Sequence, residues 1–128
     1  MVLDDLEDWL KNEDEWLVMR AIAAGLADAG VNNEIFTHQA LEYHMKIFNN
    51  ILKSEDRTSE NFKSLKKGLG FTLSVIVHAN PKKGFNLMNK LIETGDKDVL
   101  WIIKNNLSKN RLIKNYLDEV KQLNKLLK

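Results

Sequence analysis

The chain is expected to be all-α, folded as antiparallel helix pairs stacked one on the next. Three observations lead there. Apolar residues recur at three- and four-residue spacing over most of the chain, as in Leu41, Met45, Phe48 and Leu52. Helix starts and stops punctuate it at short intervals: Ser59 before an apolar run, Asn80-Pro81, and Gly95 followed by Asp96. One proline and six glycines in 128 residues are too few for a turn-rich β fold.

Each element has its own reason. Residues 2–11 form a short amphipathic helix with Val2, Leu6, Trp9 and Leu10 on one face, and its early acids suit the positive end of the helix dipole. Asn12 or Asp14 caps a second helix that carries Trp16, Met19, Ala23 and Leu26 inward and stops at Gly30. Asn32 or Asn33 opens a third, running to about Lys53. Residues 54–58 are the only stretch with linker character. Ser59 caps a fourth helix that starts amphipathic and becomes apolar nearly all round over residues 69–77, which predicts burial. Gly68 and Gly70 inside it mark a close crossing or a kink. Pro81 starts a fifth helix and Gly95 ends it, Asp96 or Asp98 begins a sixth, and Ser108 restarts a seventh through Leu112, Tyr116, Val120, Leu123 and Leu127.

One domain spanning residues 1–128 is long enough to bury its own core. The absence of cysteine excludes disulfides, thiolate zinc sites and a cysteine nucleophile. The acidic N-terminus is the reverse of a secretory signal, and the apolar run 71–77 is far short of the roughly 20 residues a bilayer needs. A cytoplasmic protein with no membrane partner is expected. The net charge of +1 hides a steep gradient: residues 1–61 carry 5 Lys/Arg against 13 Asp/Glu, residues 62–128 carry 14 against 5. Such opposed halves attract anions at one end, or complement each other within the fold or between copies.

A weak internal echo relates residues 14–20 to residues 98–104 at an offset of 84, two units of about 42 residues. Leu69-Gly70 to Ser74, Asn80-Pro81 to Gly84, Asp96-Lys97-Asp98, Trp101-Ile102, Lys104, Asn106-Leu107 and Lys109 to Leu112 together resemble the C-terminal segment of bacterial and archaeal HEAT-repeat (armadillo-type) proteins. The resemblance implies a right-handed α-solenoid of about three HEAT-like helix pairs plus a C-terminal capping helix, in a family whose usual role is scaffolding between proteins. Leu100 departs from the pattern, where arginine usually follows Asp-Val.

The sites follow from face and charge. Lys97, Trp101, Lys104 and Ser108 share one stripe of the sixth helix, with Lys109, Arg111 and Lys114 following. A tryptophan among lysines suits a nucleic-acid backbone and a stacked base. The competing reading packs Trp101 against a neighbouring helix under lysine stems. Arg20 after Trp16 faintly matches the repeat pattern of the DNA-alkylation-repeat glycosylases, which are also HEAT-like. Their carboxylate would have to be Asp96 or Asp98, both more simply helix caps. His38 and His44 lie about 240° apart on one helix and cannot share a metal; His38 is expected in solvent beside Glu42, His44 in the core. No cofactor, metal or small-molecule substrate is expected, and no reaction. The expected function is a non-enzymatic interaction module that grips a protein partner or a second copy on its concave face. The alternative is nucleic-acid binding through the basic C-terminal half, with Lys97, Trp101, Lys104, Lys109, Arg111 and Arg20 as the binding residues.

Overall fold

The structure, a computed structural model, describes residues 16–28 and 34–127, and among these every regular element is a helix. They run α1 Trp16–Asp28, α2 Glu34–Lys53, α3 Glu60–Ala79, α4 Pro81–Glu93, α5 Lys97–Leu107, α6 Asn110–Asn115 and α7 Leu117–Leu126. The helix expected over residues 2–11, the caps at Asn12 or Asp14 and at Asn32 or Asn33, and the stop at Gly30 lie outside the described residues.

The middle of the molecule is α3. Ser59 Oγ accepts from Phe62 N–H at 3.1 Å and starts it. Phe62, Leu65, Leu69, Leu73, Ile76 and Val77 are all buried, forming the broad apolar face of the helix, while Lys63, Lys67 and Phe71 stay exposed on another stripe. Its most extensive contacts are with α1 and α5. Gly68 and Gly70 sit two residues apart, hence about 200° round the helix, and open opposite flanks. On one flank the Arg20 stem crosses Gly68, where an added Cβ would lie 3.2 Å from Arg20 Cγ. On the other the Trp101 ring crosses Gly70, with Cζ3 at the same 3.2 Å. The glycines therefore make close crossings, and α3 continues unbroken through both.

Direction follows from the same contacts. Trp16 meets Phe62 edge-on at 5.3 Å and Arg20 meets Gly68, so α1 runs parallel to α3. Asp98 meets Lys66, Trp101 meets Gly70 and Asn106 meets Ser74, so α5 does too. Between them in sequence, α2 and α4 run the opposite way. His44 on α2 bonds Thr72 on α3 across the short loop 54–59, and Gly84 on α4 presses on Val77 across the single residue Asn80.

The 54–58 stretch is not a loose linker. Arg57 places all five of its N–H donors: Nε donates to Ser54 O, Nη1 to Asp96 Oδ1 and Asp98 Oδ2, and Nη2 to Ile51 O and Asp96 Oδ2. Asp96 itself caps α5, accepting from the Asp98 and Val99 amides, and Gly95 before it takes φ +68°. The loop after α2 is thereby riveted to the start of α5.

One expected element divides. The single terminal helix from Ser108 is α6 and α7, broken at Tyr116 (φ −140°, ψ 46°). Tyr116 Oη donates to the His78 carbonyl and receives His78 Nδ1–H, each at 3.1 Å, while the ring packs edge-on against His78 and Phe85. Anchoring this residue to the ends of α3 and α4 outweighs one helical turn.

Candidate nucleic-acid interface

Residues 63, 66, 67, 70 and 71 fall at i, i+3, i+4, i+7 and i+8, so α3 presents them on one stripe. Trp101 and Asn105 do the same on the neighbouring α5. Between the two helices and Lys109 lies a groove of about 570 Å³, lined by Lys63, Lys66, Lys67, Gly70, Phe71, Trp101, Asn105 and Lys109. Its walls hold four cations, two aromatic rings and no carboxylate.

The rings are partly open. Trp101 is 39% exposed and Phe71 44%, although each has a large apolar area to hide. Trp101 keeps its Cζ3–Cη2 edge against Gly70, and Lys66 Nζ stands 4.9 Å from its centroid. Arg111 and Lys109 approach the Phe71 ring at 4.9 and 5.8 Å. A glycine at 70 lets the indole lie low across α3, and the cations over both rings hold them at the surface.

The lysines differ in how free their charge is. Lys66 Nζ donates to Asp98 Oδ1 at 2.8 Å. Lys63 pairs with Glu60 at 3.4 Å, an exposed contact of little energy. Lys67 and Lys109 have no carboxylate partner among the described residues. The carboxylates nearest Trp101 are committed elsewhere. Arg57 holds the Asp96 carboxyl below the ordinary range; burial works to raise that of Asp98, but Lys66 and Arg57 outweigh it and lower it. Both acids therefore serve the α5 start and the Arg57 rivet.

No family model, curated protein or solved structure matches this chain.

Of the six residues expected to bind, the structure brings together Trp101, Lys109 and Arg111. Lys97 and Lys104 are exposed on α5 within a turn of Trp101, outside the groove lining. Arg20 lies across α3, against Gly68, and does not reach the groove. The α3 wall of Lys63, Lys66, Lys67 and Phe71 lies outside the residues expected from sequence. Its sequence signal is a basic, small and aromatic stripe at helical spacing, beside the stronger apolar pattern of the same helix.

Elsewhere, His44 is wholly buried, as expected. Nδ1–H donates to Ala40 O at 2.9 Å; burial keeps the ring neutral, which leaves Nε2 to accept from the Thr72 hydroxyl at 3.0 Å. His38 is exposed beside Glu42, 2.9 Å from its carboxylate. No group of three or more metal-ligating acids or histidines exists among the described residues, and no helix there is long and apolar enough to cross a membrane. A second cleft of about 670 Å³ separates α2 from α4, with Leu41, Met45 and Leu87 between His38, Glu42, Lys83 and Lys90.

Proposed function

We propose that this protein binds single-stranded nucleic acid in the α3–α5 groove. The observation that carries the reading is the groove's lining: lysines without an intervening carboxylate, alternating with two half-open aromatic rings. A backbone of phosphates needs fixed cations along its track, and unpaired bases need ring faces to lie on. Lys63, Lys67 and Lys109 supply the first; Trp101 and Phe71 supply the second. A duplex offers its phosphates but keeps its bases stacked, so the rings favour an unpaired strand. The role is binding without a reaction, since Asp96 and Asp98, the acids a glycosylase-like site would need, are engaged by Arg57 and Lys66.

The architecture behind it is an α-solenoid of HEAT-like pairs. Support comes from α1, α3 and α5 lying parallel side by side while α2 and α4 return between them, the relation that stacked antiparallel pairs produce. A fluorescence-anisotropy titration with a labelled oligothymidylate, repeated at several salt concentrations, tests the function. Binding at low salt that weakens steeply as salt rises is the expected result, since each phosphate contact releases a counterion. No binding at low salt, or binding indifferent to salt, would overturn it.

A second reading, an interaction module for a protein partner or another copy, draws on the α2–α4 cleft, where Leu41, Met45 and Leu87 meet Lys83 and Lys90. It predicts a mass above that of the monomer in solution, or a partner retained on the immobilised chain; substitutions of Met45 should abolish either.

A further inference from the structure

The cleft between α2 and α4 is a trough with a register of its own. Each helix rests on α3 and hardly on the other, and both run opposite to α3, so they lie parallel. Lys83 Nζ donates to His38 Nδ1 at 3.4 Å, which levels the two helices at one end of the cleft. Lys90, seven residues or about 10 Å further on, then stands level with Met45 and Lys46. Leu41, Met45 and Leu87 form the floor between these levels. The single carboxylate in the lining, Glu42, accepts from His38 Nε2–H at 2.9 Å. Lys83 and Lys90 have no carboxylate partner among the described residues. The trough is thus apolar along its floor, cationic at both ends and about two helical turns long.

An open trough between two parallel helices has the shape that a third helix fills. A helix lying along α4 has the same rise, so its residues i and i+7 face Lys83 and Lys90 while i+3 and i+4 fall on the floor. Charge then fixes its composition: acids at i and i+7, apolar side chains at i+3 and i+4. We propose that the α2–α4 cleft receives an amphipathic helix of a protein partner with that acidic pattern. This rests on the cleft being a protein-docking site, the second reading of the function, and gives the partner its chemistry. A nucleic-acid strand suits the cleft less: no tryptophan, tyrosine or phenylalanine lines it to take a base, and Glu42 stands within it. Leu41 and Leu87 are already buried, so the floor adds little apolar area; ion pairs set the affinity and salt weakens it.

The test titrates the full-length chain, isotopically labelled at the methionine methyls for NMR, with a helical peptide of about 16 residues. The peptide repeats Glu-Gln-Ala-Leu-Leu-Gln-Ala, which sets its acids one heptad apart, and a control peptide carries lysine in place of glutamate. The expected result is a shift of the Met45 methyl signal with the acidic peptide alone, while Met19 in the core stays put. In the variant Lys83→Glu/Lys90→Glu the preference should reverse. The acidic peptide should bind roughly tenfold more weakly, and the lysine peptide should now shift Met45, which also shows that the variant is folded. Met45 shifting equally with both peptides would overturn the acidic pattern and leave the docking reading standing. No shift with either, a variant that keeps the acidic peptide, or a shift with oligothymidylate instead would overturn the proposal outright. The docking reading is then judged apart, by the solution mass and by partner retention.

Discussion

The side chain of Asn106 enters the hydrogen-bond ladder of α3: its Oδ1 accepts from Ser74 N–H at 2.7 Å. Its Nδ2 donates back to Leu69 O at 2.9 Å and to Ile102 O at 2.7 Å. Both residues are fully buried, so water cannot replace these partners. Asn106→Leu keeps the branched outline, with bulkier terminal groups, and removes the acceptor, leaving the Ser74 amide to bear its desolvation. The expected loss is about 1–3 kcal/mol in urea denaturation. Asn106→Asp restores an acceptor but turns a carboxylate oxygen towards two carbonyls, so that variant should regain stability on acidification as the carboxyl protonates.

Arg57 sets how the fold responds to acid. Its contacts lower the carboxyl pKa of Asp96, and with Lys66 that of Asp98 against the opposing effect of burial. A carboxylate whose folded pKa lies below its unfolded value stabilises fully above the unfolded value, about 3.9, and loses that contribution as pH falls through the lower one. Urea midpoints measured from pH 5 to pH 2 should therefore fall most steeply below about pH 4. Arg57→Met removes five donors and leaves two neighbouring acids unneutralised, costing about 2–4 kcal/mol at neutral pH. It should also flatten the acid limb, because its acids no longer titrate low.

A separate window belongs to His44. Burial takes its pKa down to about 4, against which the Ala40 carbonyl acts only weakly. The unfolded chain takes up a proton near pH 6.5 that the folded ring refuses. Stability from this group is thus complete above about pH 6.5, declines towards about pH 4 and then levels, a total of about 3 kcal/mol. Nitrogen NMR of the imidazole checks the cause directly: at pH 6 the ring should be neutral, with its proton on Nδ1.

The glycines separate cleanly by what surrounds them. At Gly84 an added Cβ would stand 2.7 Å from Val77 Cα, a backbone atom in the neighbouring helix that cannot step aside. Gly84→Ala must push α4 off α3 and should cost about 1–3 kcal/mol. Gly25 lies within α1 with nothing inside 4 Å of the added Cβ. Gly25→Ala should stabilise by about 0.5–1 kcal/mol, through backbone entropy alone. Thermal melts of the two variants should move in opposite directions.

What the sequence made legible was local. Ser59, Pro81, Gly95 and Asp96 act within a few residues of themselves, and each starts or stops a helix where its chemistry says. The apolar run 69–77 is buried except at Phe71, 44% exposed, and Val75, half-buried, which share one stripe of α3 and so depart from burial all round. Relations across the chain were not legible. Nothing near Arg57 in sequence indicates that its partners lie 39 and 41 residues away. The break at Tyr116 depends on His78, 38 residues back, whereas the local periodicity predicts one continuous terminal helix. The groove is hidden for a similar reason: the neighbours of Trp101 in sequence lie on α5, whereas the cations beside it come mainly from α3.

That α3 wall supplies a last prediction, in which charge and stacking part company. Lys67 has no carboxylate partner among the described residues, so its charge acts on whatever enters the groove. Lys67→Gln should weaken oligothymidylate binding and also make the plot of log K against log salt shallower by about 0.7, one counterion's worth on a single strand. Trp101→Ala removes a ring and no charge. It should weaken binding by about 1–3 kcal/mol while leaving that slope as it was. Lys66 tightens the distinction, since it lies over Trp101 and is also tied to Asp98. Lys66→Met keeps the stem over the indole and frees Asp98, so it should lower affinity through charge and shift the slope in the direction of Lys67→Gln. Anisotropy titrations across a salt series on the three variants separate these outcomes, and a Trp101→Ala protein that changed slope rather than intercept would show that the indole holds no base.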